Sequence, residues 1–147
     1  MVLVVTALSS GLMAYGGSLV AGMLPPAAKS MLVAFALGAA AFELAWTRKD
    51  TVPREPTHSL GALFIVILAR QLGDAARFGV FALAAATGSP PLSALGGWLG
   101  GAAVLVATLL APDDLSDPAR LRPLRLVLAG MCALAAVVLA LGARGLL

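Results

Sequence analysis

Charge is scarce in this chain: 12% of its 147 residues are Asp, Glu, Lys or Arg, about half the usual share of roughly 25% in a soluble domain. Cysteine is nearly absent as well. The single Cys132 excludes an internal disulfide framework and a thiolate metal site, and within an apolar run it suits a small packing hydrophobe. The one histidine, His58, lies at the edge of the apolar runs. No span therefore contains a His, and none pairs a second acid or base with a Ser nucleophile, so an intramembrane enzyme is not expected. Aromatics make up 5%. The ten Lys and Arg are scattered along the chain without a basic stripe, so the sequence pI of about 9.8 does not predict a nucleic-acid partner. Asp113, Asp114 and Asp117 lack the spacing and the closing Glu of a calcium loop, and they read as a solvated turn.

What remains is hydrophobicity. At 61% hydrophobic residues and a mean hydropathy of +0.99, residues 1–147 read as a single integral membrane domain lying in a lipid bilayer. Apolar runs predict about five spans, over 2–23, 30–46, 59–87, 91–111 and 124–143. They lack the ten-residue alternation of barrel strands, so the predicted class is an all-α integral membrane protein. Pro25-Pro26, Thr47 to His58, Gly88-Ser89-Pro90-Pro91 and Pro112 to Pro123 are the predicted breaks. Met1 to Ser10 carries no Lys or Arg, so the first run reads as a retained helix rather than a secretory signal. Thr6, Ser10, Gly17 and Ala21 would give it one close-packing face. In the fourth span Gly96, Gly97, Gly100 and Gly101 form two overlapping Gly-xxx-Gly pairs, a helix-packing signature for which a second copy of the chain is one candidate partner.

Lys and Arg are retained on the cytoplasmic side. Arg48, Lys49, Arg54, Arg120, Arg122 and Arg125 fall on one side of a five-span chain, against Lys29 and Arg144 on the other. The predicted N-terminus is cytoplasmic and the C-terminus external, in a bacterial inner (plasma) membrane. Trp46, next to Arg48 and Lys49, fits an interfacial anchor.

The third span is unusual. Residues 59–87 would reach about 43 Å as one straight helix, beyond the hydrocarbon core, so tilt or a break must absorb the excess. Gly73 is the expected break. Beside it lie Arg70, Asp74 and Arg77, each charged and each costing about 2.5–3.5 kcal/mol near the bilayer centre on an insertion scale. On a continuous helix the i, i+4 and i+7 spacing would set them on one face, with Asp74 able to pair with either arginine. Intramembrane ionisable residues at a broken helix often mark an ion pathway. The competing reading is a self-satisfied triad that only fixes helix packing.

At this point the sequence resembles the manganese and calcium exchangers of Golgi and bacterial membranes, a family marked by E-x-G-D-[KR]-[ST]. The segment Gln71-Leu72-Gly73-Asp74-Ala75-Ala76 falls on the motif, and Ala82 to Ala86, Ser89-Pro90 and Leu95-Gly96-Gly97-Trp98-Leu99-Gly100 look like its continuation. The resemblance implies an inverted-repeat transporter with three helices per repeat, each repeat opened by one motif. Residues 59–147 would form the second repeat, 47–58 a cytoplasmic linker, and 1–46 a truncated first repeat without its motif helix. It also implies Mn²⁺ or Ca²⁺ as the transported ion, exchanged for protons, with no permanently bound cofactor. Gly73 and Asp74 match the motif, whereas Gln71 stands at its first acid and Ala75 and Ala76 replace its basic and hydroxyl positions.

The implied ion pathway is Arg70, Gln71, Gly73, Asp74 and Arg77, with the Asp74 carboxylate and the Gln71 carbonyl as metal ligands. Residues 70–77 hold one acid and two arginines, so a full oxygen shell needs ligands from elsewhere. A homo-oligomer or a paired membrane subunit would supply the missing helix. Glu43 is expected to snorkel toward Arg48 or Lys49 rather than join Asp74. The alternatives are a non-transporting interaction or regulatory subunit, and an anion or proton path along Arg70 and Arg77.

Overall fold

The computed structural model describes residues 2–46, 59–110 and 118–146. These form α1 (Val2–Ala21), α2 (Pro26–Ala45), α3 (Leu60–Leu72), α4 (Ala75–Thr87), α5 (Pro90–Leu110) and α6 (Pro118–Ala143), with no strand among the described residues. Among the described residues four helices are long and apolar enough to cross a membrane: α1, α2, α5 and the stretch Leu121–Ala143 of α6. The chain is thus all-α with the composition of a membrane protein. The predicted third span is instead two helices of 13 residues each, α3 and α4. The predicted linker 47–58 and the Asp113, Asp114 and Asp117 turn lie outside the described residues.

Local chemistry sets most of the boundaries. Pro26 opens α2 at a position that needs no N–H donor. Gly88 closes α4 in the left-handed region, at φ 64°, where a side chain would be strained, and α5 then starts at Pro90. One boundary differs from the sequence reading. The predicted break 112–123 is helical from Pro118 onward, with Pro123 inside α6. A proline there forfeits one backbone bond, and the long apolar run that follows carries the helix through it.

Contacts fix the helix directions. Along α1 and α4, Ser10 meets Arg77 and Gly17 abuts Phe81 and Ala84, so the two run parallel. Along α5, Gly97 lies at Ser10 and Gly101 at Thr6, so α5 is antiparallel to α1. Glu43, near the end of α2, reaches Ala75 at the start of α4, so α2 also runs opposite to α4. α2 packs in turn on α6. Arg125 shares a cavity with Glu43 and Trp46, and Ala140 shares one with Met31 and Phe35, so α6 is antiparallel to α2. One end of the bundle thus gathers the start of α1, the ends of α2 and α5 and the start of α6.

The core is made of small residues. Val5, Ala14, Ala82, Ala84 and Ala85 are buried, together with Thr6, Ser9 and Ser10. Small side chains let helix backbones approach closely where lipid gives little hydrophobic drive for helix association. The two Gly-xxx-Gly pairs separate. Gly97 and Gly101 face inward, where a Cβ would lie 2.5 Å from Val80 Cγ2 and from Thr6 Cγ2 respectively, while Gly96 and Gly100 look into open space. The predicted small-residue face of α1 is real, but Thr6, Ser10 and Gly17 are spent against α4 and α5 inside one chain.

Candidate functional site

The α3–α4 break is built by Asp74. Its backbone is extended at φ −81° and ψ 139°, and its Oδ1 accepts from the Ala76 N–H, capping α4. The side chain satisfies one of the donors that a helix start leaves open. Gly73 closes α3 with φ −86° and ψ 1°, a conformation open to any residue. The break thus falls where the sequence placed it, but its physical cause is the aspartate cap and not the freedom of the glycine.

Because the helix is broken, Arg70, Asp74 and Arg77 do not share one continuous face. Arg77 is 6% exposed. Its Nη1 donates to Ser10 Oγ at 2.9 Å and to the Gly97 carbonyl at 3.0 Å, which ties α4 to α1 and α5. Its Nε is buried without a hydrogen-bond partner among the described residues. Gln71 is held equally firmly. Ser9 Oγ donates to Gln71 Oε1 at 2.8 Å, and Gln71 Nε2 donates to Thr6 Oγ1 at 3.2 Å. Arg70 is exposed and lines a cavity of about 570 Å³ with Glu43, Gln71, Asp74 and Arg125.

Glu43 has a partner that the sequence did not suggest. Its Oε2 accepts from the Ala75 N–H at 3.1 Å, so carboxylates from α2 and from the break cap consecutive amides at the start of α4. The positive end of a helix dipole attracts both. Arg48 and Lys49, its expected partners, lie outside the described residues. With Glu43 included, the break holds two acids contributed by the two halves of the chain.

Asp74 lies where three cavities converge. The first, about 680 Å³, adjoins Met13, Ala39, Phe42 and Glu43. The second is the Arg70 and Arg125 cavity. The third, about 500 Å³, runs along α1 and α5 past Gln71 and Arg77. Asp74 lines all three. Arg77 stands near mid-height of α1 and α5, at the level of Ser10 and Gly97. Asp74 and Glu43 lie about a turn nearer the end where α2 finishes, somewhat off the centre that the sequence suggested.

The arrangement can offer a mobile cation carboxylate oxygens from Asp74 and Glu43 and one amide carbonyl from Gln71. Among the described residues no three His, Cys, Asp or Glu side chains group as a metal site. Sequence reasoning missed Thr6, Ser9 and Ser10 as holders of Gln71 and Arg77. Their i, i+3, i+4 hydroxyl spacing in an apolar helix was the available signal. No family model, curated protein or solved structure matches the chain.

Proposed function

We propose that this chain is a divalent-cation transporter, or a subunit of one, moving Mn²⁺ or Ca²⁺ by exchange with protons. The observation that carries this reading is the helix broken at Gly73-Asp74, with Asp74 at the meeting of three cavities and Glu43 beside it. Broken helices near mid-membrane are a common way to present backbone and carboxylate groups to an ion. Hard oxygen ligands suit Mn²⁺ and Ca²⁺, and a carboxylate can hold either a proton or metal charge. Counting Glu43 offsets the net positive charge of residues 70–77. The family resemblance at Gly73 and Asp74 supports the same reading and a location in a bacterial inner membrane with the N-terminus inside.

Two carboxylates and one amide are fewer than the six to eight oxygens Ca²⁺ takes. Water, or a partner chain, supplies the rest. α3 has no buried residue and among the described residues packs mainly on α1 and α4, so a helix contributed by a second copy or a separate subunit has room beside it. The small-residue face of α1 is already occupied, whereas Gly96 and Gly100 of α5 remain open, so α3 and this face of α5 are the surfaces left for assembly.

A second reading has its own observation. Gln71 and Arg77 are fastened to α1 and α5 by hydrogen bonds, as in a polar clasp that only fixes packing. On that reading the chain is a non-transporting interaction or regulatory subunit. Cellular manganese in an efflux-deficient bacterium separates the two. Expression should lower it, and Asp74→Asn at matched membrane abundance should not. Equal manganese with both proteins favours the non-transporting subunit.

A further inference from the structure

The cavity along α1 and α5 has a use that the ion site alone does not require. Its inner end is lined by Thr6, Gln71, Asp74 and Arg77, and its outer end by Val2, Val104 and Thr108. From Gly97 to Thr108 it follows α5 for about 16 Å. Thr108 is near the end of α5 and Val2 opens α1, so the cavity reaches the end of the bundle that the loop charges assign to the cytoplasm. One wall is stripped of side chains, because Gly96 and Gly100 leave open space there.

A second observation concerns what fills it. Arg77 is 6% exposed and lines the inner end, yet its Nε has no protein partner among the described residues. A buried donor facing hydrocarbon would cost its full desolvation, about 1–3 kcal/mol and more for a charged group. Water at the inner end lowers the cost of burying that charge, and it needs two or more polar partners. Thr6, Gln71 and Arg77 at the inner end offer polar atoms for it. Asp74 provides more, since a carboxylate has about four acceptor sites and the Ala76 N–H takes one of them.

We infer that this cavity is a water-filled route joining Asp74 to the cytoplasmic end of the bundle, through which a hydrated cation reaches the carboxylate. The cation's part in this rests on the transport reading. The hydration of the route does not. Gly96 and Gly100 give the route its width, and the Arg77 guanidinium anchors the innermost water.

Thiol accessibility tests this in the full chain with Cys132→Ala as background. Val104→Cys and Val106→Cys sit two residues apart at one depth of α5 and are both exposed in the isolated chain. Val104 lines the cavity and Val106 does not. A charged, membrane-impermeant methanethiosulfonate reacts with the thiolate, which forms in water and not in lipid. In inverted membrane vesicles Val104→Cys and Gly100→Cys should therefore label at least about tenfold faster than Val106→Cys. In right-side-out vesicles all three should stay unlabelled. Asp74→Asn added to Val104→Cys should leave labelling unchanged while removing export. Equal slow labelling of Val104→Cys and Val106→Cys overturns the route, as does labelling from the external side alone. Fast labelling without any manganese export would keep the route and remove the transport reading.

Discussion

At the residue scale, the decisive pair is Asp74 and Arg77, and their roles differ. Asp74 caps α4 through one acceptor bond, a task that Asn performs about as well. Asp74→Asn should therefore keep the fold while removing the charge, whereas Asp74→Ala should also lose about 1 kcal/mol of cap stability. Arg77 is a fastener. Its Nη1 serves Ser10 and the Gly97 carbonyl together, a position that the shorter side chain of lysine reaches less well, so one of the two bonds is lost. Arg77→Lys should cost about 1.5–3 kcal/mol, the worth of one hydrogen bond to a charged group. Thermal unfolding of the detergent-solubilised protein checks both, with Asp74→Asn near wild type and Arg77→Lys clearly lower. A melting temperature for Arg77→Lys equal to wild type would contradict the clasp.

At the element scale, the break between α3 and α4 was legible because residues 59–87 are too long for one straight span and carry Gly73-Asp74 in the middle. Its cause was not legible, because a capping bond and a glycine turn leave the same trace in sequence. The partners of Gln71 and Arg77 were also hidden. Thr6, Ser9 and Ser10 are visible as hydroxyls, but the register that sets them opposite α4 comes from packing between distant segments. Glu43 looked like a snorkelling end residue, since nothing local reveals that α4 presents a free N–H beside it. The Gly-xxx-Gly pairs show the same limit, because only packing distinguishes their two faces. Gly97→Ala and Gly101→Ala should destabilise, since each new Cβ meets Val80 or Thr6 at 2.5 Å. Gly96→Ala and Gly100→Ala, which meet nothing within 4 Å, should be neutral or stabilising by up to about 1 kcal/mol from helix propensity. Thermal melts of the four variants read the contrast directly, and four equal shifts would refute the inward and outward assignment.

At the scale of the whole molecule, composition and run length were enough for an all-α membrane architecture, and the alternating helix directions agree with an odd number of crossings once α3 and α4 count as one. The loop charges and the bundle geometry place Arg122 and Arg125 of α6 at the same end as the close of α2. What joins these scales is the broken element. It breaks the helix where α1, α2 and α5 pack on α4, and it sets the Asp74 carboxylate among three cavities.

The most direct measurement is uptake of radiolabelled manganese into proteoliposomes holding the purified chain, under an imposed proton gradient and beside Asp74→Asn and Glu43→Gln. Gln at position 43 can still accept from the Ala75 N–H, so it changes charge with little change in structure. Gradient-dependent uptake by the wild-type chain is expected, abolished by Asp74→Asn and reduced by Glu43→Gln. Wild-type uptake unaffected by Asp74→Asn would contradict the assignment of Asp74 as the transport site.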